Sequence, residues 1–380
     1  MSFNAGKNWQ SLQQNLPATP VTDIKVHRND LVISTMGRSA YIMDNITPLQ
    51  QLAALANAAP GATGGHDGGE YVASGIGLAN VASGFSRTDA EQAPRPLPAV
   101  ALFHPREVTR FRNGTAPASV NEPEYPATGA QFDVYFASAP GADTKLEVLD
   151  AKGGALKTFN MLAPSSRGAA GGGQDMRGPF RRGGGGSAGI RAEAGMQRIT
   201  WDLRYAGPWS PNTPEGGFGG PMVPPGRYGV RLTSGGQTIT RTFDLKSDPR
   251  VAGDGVTDGD IAEQVKFQLQ VRDAISDARK LQQGIEQAMQ KAGLKPGLAT
   301  GEVGSSPAHT KHDHPLRELY SKVVTAPGIY TQGMLVDQLS NVQRMVTQAD
   351  QKVGKDAYDR YADLVKELAT LEAQFKKIGG

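Results

Sequence analysis

The apolar residues of this chain change their spacing near Val256, and this change limits what each part can fold into. Before Val256, apolar and polar side chains alternate, as around Ile199 and Trp201. After it, apolar residues recur at intervals of three and four, as in Phe267 and Val271. Alternation is typical of half-buried strands, and the longer interval is typical of helices. At 380 residues, the chain is predicted to form several domains, mainly β followed by α.

Residues 98–250 carry most of the alternating pattern. They contain about seven short strand-like runs with turns between them, including a hairpin that turns at Gly235-Gly236. This pattern predicts an immunoglobulin/fibronectin III-like β-sandwich with Trp201 in its core. Residues 165–195 are rich in glycine and lack periodic apolar positions, which indicates a mobile loop inserted into the sandwich.

Residues 1–57 contain three further strand-like runs, VTDIKVH, DLVISTM and AYIMD. They predict one antiparallel sheet, and a single sheet of this size needs neighbours on its faces to be stable. A short helix is predicted to follow, capped by Thr47 with Pro48 at its first position. Residues 58–97 then lose all periodicity and are predicted to be a flexible linker.

Three stretches after Val256 carry an apolar stripe with helical spacing. The stripes lie in residues 267–288, 335–346 and 357–378. A single stripe would remain in contact with water, so the three helices are expected to pack against each other. Residues 257–380 are therefore predicted to form an antiparallel three-helix bundle, with a Gly/Pro/Ser-rich connection before the second helix.

The amino-acid composition excludes several classes of binding partner and of chemical site. The net charge of +3 gives no reason to expect nucleic acid or an anionic membrane as a partner. Cysteine is absent, which excludes disulfides, a thiolate nucleophile and a thiolate metal site. No run approaches about 18 apolar residues, and the first residues lack the basic and apolar regions of a signal peptide. The absence of a long apolar run means that no membrane span is predicted. The sequence also contains no phosphate-binding loop, and no cofactor is predicted.

The first residues carry a turn motif. Ser2, Asn4, Gly6 and Trp9 follow the order S-x-[DN]-x-G-x-x-W, which resembles the Asp-box of BNR-repeat β-propellers, as found in sialidases, xyloglucanases and sortilin-like domains. The segment DLVISTMGRSAYIMDNITPLQQL resembles the closing blade of large exported bacterial proteins described as BNR-repeat glycosyl hydrolases or as WD40/YVTN-like proteins. In those proteins, as here, a WDLRY strand, a PPGRYGVRL hairpin, a Gly-rich insertion and a helical tail follow.

This resemblance implies that residues 1–57 are the closing blade of a truncated propeller, with the short helix after it. Met1 is then expected to be an internal methionine or a truncated gene start, and the preceding blades are expected partners. The parent protein is expected to be exported, periplasmic or extracellular. Asn4 replaces the family's aspartate but keeps an acceptor for the turn amides, and Met36 stands where the family often has histidine.

The same resemblance raises the question of glycoside hydrolysis. That reaction needs two carboxylates about 5 to 9.5 Å apart, or in sialidases a tyrosine beside an arginine cluster. Only Arg38, Tyr41 and Asp44 of this chain could line such a site in the blade. Their structural interpretation is that Asp44 caps the turn before the helix and that Tyr41 belongs to the core. Because a propeller site draws its groups from several blades, no activity is expected in this chain.

A histidine cluster offers possible metal ligands. His309, His312 and His314, with Asp313 among them, supply nitrogen and oxygen donors suitable for zinc or nickel. They lie in the Gly/Pro/Ser-rich connection and lack a second ligand pair at a fixed distance, so chance loop histidines are the competing interpretation.

Two classes of function remain. In the first, the chain is a non-catalytic C-terminal scaffold that docks through the propeller and sandwich and binds a protein or glycan through loops. In the second, the chain is part of a sialidase- or xyloglucanase-like glycoside hydrolase whose site lies mostly in upstream blades. The two classes differ in how many catalytic carboxylates can converge on one site. Most of the propeller is expected to be missing from this chain, which favours the scaffold.

Overall fold

The computed structural model shows a chain that is mainly β up to Ser247 and helical from Pro249 onward, as predicted. It falls into two compact units, described separately below. Unit 1 comprises Met1–Phe103, Val134–Ser138 and Ala194–Met196, and unit 2 comprises His104–Asp133, Ala139–Glu193 and Gln197–Gly380. The structure describes residues 1–2, 6–9, 11–12, 16–57, 97–112, 128–162, 190–214, 216–217, 219–295, 314–328 and 330–379.

Two predicted segments fall mostly outside that description. They are the flexible linker at 58–97 and the mobile loop at 165–195, of which residues 97 and 190–195 are described. The end of the predicted loop is ordered as a strand, because Ile190 and Arg191 pair in parallel with residues 161 and 162. Ala192, which follows, is buried.

Unit 1 contains the three strands predicted before residue 45. Strands β1 (Val21–His27), β2 (Asp30–Thr35) and β3 (Ala40–Met43) form an antiparallel sheet in that order. Arg28 and Asn29 join the first two strands with φ values of 50° and 64°, as expected for a two-residue hairpin. Helix α1 (Thr47–Asn57) follows.

The remaining strands form two further sheets. They are β4 (Val100–Leu102), β5 (Val108–Arg110), β6 (Ala130–Phe136), β7 (Lys145–Leu149), β8 (Ala155–Leu162), β9 (Ile190–Arg191), β10 (Gly195–Trp201), β11 (Gly226–Ser234) and β12 (Gln237–Ser247). One sheet has the order β10-β6-β4, and the other has the order β5-β12-β11-β7-β8-β9. The second sheet is mixed, because β5 and β9 pair in parallel with their neighbours.

The β11–β12 hairpin turns at Gly235-Gly236, as predicted. Both glycines have positive φ, which a two-residue hairpin turn of this kind requires. Side chains of unit 2 pack an aromatic core around the hairpin. Tyr228 meets the Trp201 ring edge-on at 6.1 Å and stacks on Phe243 at 5.9 Å. Trp201 is 1% exposed, in agreement with its predicted core position.

The remaining helices of the described residues all lie in unit 2. They are α2 (Pro249–Gly253), α3 (Asp258–Lys291), α4 (Pro315–Val323), α5 (Leu335–Thr347) and α6 (Lys355–Ile378). Helices α3 to α6 bury their apolar residues in one shared core. Thr257 and Asp260 form a capping box at the start of α3, in which each side chain bonds the other's backbone amide. Within the described residues, no helix is both long and apolar enough to cross a bilayer.

Helix α4 corrects one expectation, because it lies in the segment that the sequence assigned to a connection. Its four buried residues, Leu316, Leu319, Tyr320 and Val323, have helical spacing. The stripe covers only nine residues, so its periodicity is too short to stand out beside the Gly/Pro/Ser-rich segment before it.

Candidate interaction surface

The residues of the turn motif at the start of the chain form one hydrogen bond within the described part. The amide of Gly6 donates a hydrogen bond to Ser2 Oγ at 2.8 Å, and Gly6 has a φ of 89°. Trp9 lies beside Gly6 and is 73% exposed. Asn4 is outside the described residues. The exposed side chain of Trp9 can therefore contact another protein segment.

The three residues proposed for a hydrolase site lie along one short strand. Arg38 is in the turn before β3, Tyr41 is within β3, and Asp44 follows its last residue. A strand rises about 3.3 Å per residue, so the first and last residues of β3 are about 10 Å apart. The structure therefore separates Arg38 from Asp44, and Tyr41 lies between them.

Asn45, next to Asp44, is the residue that caps helix α1. Its side-chain oxygen accepts hydrogen bonds from the Thr47 amide and hydroxyl, at 3.3 and 2.6 Å. Asn45 has a φ of 58° and is buried, and its own amide donates to Asp30. The sequence predicted Thr47 as the cap. The shift by two residues follows from a turn in which asparagine tolerates positive φ and supplies the acceptor.

His314 has a structural role at the start of helix α4. Its Nδ1 accepts a hydrogen bond from the Leu316 amide at 3.2 Å, which caps the helix. His309 and His312 lie outside the described residues. The part of the chain that the structure describes contains no group of three potential metal ligands.

The β1–β3 sheet carries an apolar face. Cross-strand partners in a sheet project to the same side, and the observed register aligns Ile24 with Ile33 and Val26 with Leu31. Ile33 is in turn aligned with Tyr41. We call this side the β1–β3 apolar face, and it consists of Ile24, Val26, Leu31, Ile33, Tyr41 and Met43.

This face is open to solvent at its outer strand. Ile24 and Val26 are 59% and 60% exposed, and strand β1 is exposed along its whole length. The opposite side carries Val32, Ile42, which is 61% exposed, and the exposed ion pair of Asp23 with Lys25. Isolated apolar residues on a surface are common, but a row of them on one side of a sheet indicates an interaction surface.

A buried ionic cluster connects strand β5 to the turn after α5 within unit 2. Arg110, whose side chain is fully buried, donates hydrogen bonds to Asp350 and to the Val223 carbonyl. Arg112 also donates to Asp350, at 2.8 Å, and to the Thr347 carbonyl. The side chain of Asp350 is 3% exposed. Pairing of this kind is what allows charges to be buried at all.

The charged groups of this cluster shift each other's pKa values. Burial alone would raise the pKa of Asp350, but hydrogen bonds and positive charge from Arg110 and Arg112 outweigh burial and lower it. Burial lowers the pKa of Arg110, although Asp350 opposes that shift. Arg110 and Asp350 are 240 residues apart in sequence. No local spacing could have indicated their contact.

No protein-family model, curated protein or solved structure matches the chain.

Proposed function

We propose that this chain is a non-catalytic scaffold and interaction region of a BNR-repeat propeller protein. In this proposal the β1–β3 sheet is the closing blade, residues 98–250 are an immunoglobulin/fibronectin III-like β-sandwich, and the helices of residues 257–380 are a bundle. The parent protein is exported. The support comes from the sequence resemblance and from the β1–β3 apolar face.

The β1–β3 apolar face is the observation that carries the proposal. Six apolar residues lie on one side of a three-stranded sheet, and at least two of them are mostly exposed. A three-stranded sheet gains independent stability only by covering such a face. Propeller blades cover theirs by packing face to face on the adjacent blades. The occupant that we propose is therefore a preceding blade of the parent propeller.

Photo-crosslinking in the source organism tests this partner. A photoreactive amino acid at Ile24 is expected to form adducts with a polypeptide that carries the S-x-[DN]-x-G-x-x-W repeat, identified by mass spectrometry. Met345 is the matched control, because it is 53% exposed but lies on helix α5. Equal adducts from both positions, adducts lacking the repeat, or no adduct from Ile24 would each contradict the proposal.

The absence of catalysis is tested separately. The purified chain is expected to show no turnover of aryl-sialosides, aryl-glucosides or xyloglucan. Catalysis depends on groups held within about 1 Å of their working positions, and Arg38 and Asp44 lie at opposite ends of β3. Turnover that disappears in Asp44→Ala would move the chain to the alternative class, a glycoside hydrolase with its site on this sheet.

A further inference from the structure

A shallow groove runs along one side of helix α3. It consists of two adjoining clefts, of about 360 and 250 Å³, that share Asp277 and Lys280. The larger cleft lies between α3 and residues 206–214 and 216, and the smaller one lies between α3 and α6. We call the two together the α3 groove. All of its lining residues belong to unit 2.

Trp209 lines the larger cleft, and its backbone is held on both sides. Its amide donates to Ser276 Oγ at 3.0 Å, and its carbonyl accepts from Arg279 at 3.3 Å. The segment around it is closed by a bond from the Gly207 amide to the Gly217 carbonyl. Among the described residues, the indole nitrogen of Trp209 has no hydrogen-bond acceptor, so this donor is available to a ligand.

Phe375 lines the smaller cleft at the other end of the groove. A side chain at Gly284 of α3 would place its Cβ only 3.1 Å from the Phe375 ring. Glycine at this position therefore lets the ring lie against α3, where it packs on the edge of the helical core. The groove thus has an aromatic ring, Trp209 or Phe375, in each of its two clefts.

Charged side chains of both signs lie between and around these rings. The groove is lined by three basic and three acidic residues, so that its formal charge is zero: Arg272, Lys280, Lys376, Asp273, Asp277 and Glu372. Lys280 bonds Asp277 at 3.1 Å, and their side chains are 55% and 53% exposed. Arg272 pairs with Asp273 at 2.6 Å, and each of these two ion pairs can donate to and accept from a ligand while remaining neutral.

We propose that the α3 groove binds a neutral oligosaccharide. Sugar hydroxyls both donate and accept, which matches the paired carboxylates and ammonium groups, and the apolar side of a sugar ring matches an aromatic ring. A polyanion would need an excess of positive charge, which the groove lacks. Helical peptides bind apolar grooves and extended peptides bind strand edges, whereas the centre of this groove is charged and its main wall is a helix.

This proposal is independent of the docking of the β1–β3 sheet. Its test uses the full chain and saturation-transfer NMR with cellohexaose, maltohexaose, chitohexaose and a xyloglucan heptasaccharide. Sialyllactose, a heparin hexasaccharide and an unstructured polar peptide serve as comparison ligands. At least one neutral sugar is expected to bind and to change tryptophan fluorescence. Binding to none of the neutral sugars, or only to a comparison ligand, would overturn the proposal.

Variants locate the binding. Trp209→Ala is expected to weaken affinity about tenfold or more, since a buried aromatic contact contributes on this scale. Trp9→Ala is the matched control, because it removes an exposed indole from unit 1, and it should retain full affinity. Asp277→Asn, at an exposed position, should also weaken binding and leave the melting temperature unchanged. Unchanged affinity in both groove variants, or in Asp277→Asn alone if Trp209→Ala unfolds, would overturn the assignment.

Discussion

Strands β1 and β11 have similar alternating sequences but opposite degrees of burial. In β1, Ile24 and Val26 are mostly exposed. In β11, Tyr228, Val230 and Leu232 are 6% exposed or less. Both strands pair in antiparallel register with the next strand in sequence. Alternation therefore determines that a segment forms a strand, whereas burial of its apolar side requires a second layer, which the described residues of unit 1 do not supply over β1.

The largest expected effect separates these two regions by stability. Trp201→Ala should lower the free energy of unfolding by about 3 to 5 kcal/mol, because it empties a buried site and removes the ring contact with Tyr228. Ile24→Ala, on the open face, should change it by no more than about 0.5 kcal/mol. Urea denaturation of both variants measures the difference. Equal midpoints would show that Ile24 on β1 and Trp201, which packs against Tyr228 of β11, are buried alike.

A smaller effect is expected from the ionic cluster. Asp350→Asn should destabilise the chain by about 3 kcal/mol, because it leaves the buried charge of Arg110 without its partner. Asp23→Asn is the control, since it breaks the exposed pair with Lys25 in unit 1 and should leave the denaturation midpoint unchanged. If the denaturation midpoint of Asp350→Asn equals that of the parent chain, the cluster does not contribute to stability.

The same cluster should make the free energy of unfolding depend on pH in the acidic range. The pKa of Asp350 is lower in the folded chain than in the unfolded chain, so protonation favours unfolding. Its contribution is fully present above the unfolded value, about pH 4, and is lost as pH falls through the lower folded value. The difference in unfolding free energy between the parent chain and Asp350→Asn should therefore shrink below about pH 4. A difference that is constant from pH 7 to pH 3 would contradict the charge pairing.

The smallest effect on stability should accompany a change in association. Replacing both Ile24 and Val26 by Asp should leave the denaturation midpoint nearly unchanged, since both side chains are already exposed. It should reduce binding of a hydrophobic dye and concentration-dependent association, measured by sedimentation velocity. Met345→Asp, at an exposed position on α5, should change neither. A loss of stability in the double variant would show that β1 is covered.

The sequence alone determined that strands precede helices, and it located the longer elements. Period-two alternation located β1 to β3 and the β11–β12 hairpin, because the Gly235-Gly236 turn and the side-chain period are local properties. Helical spacing located α3, α5 and α6 in the same way. Trp201 could be assigned to a core for the same reason. Short features were not predicted from the sequence. Helix α4 has only nine residues, and the cap at Asn45 depends on a single positive φ.

Only the tertiary structure decided which side chains meet across long separations. Arg110 contacts Asp350 across 240 residues, and the α3 groove joins Trp209 to helices that begin after residue 257. It also decided that β1 is open and that Arg38 and Asp44 lie at opposite ends of a strand. The physical reason is that spacing along the chain specifies which face of an element is apolar or charged, whereas contact between elements depends on how the whole chain packs.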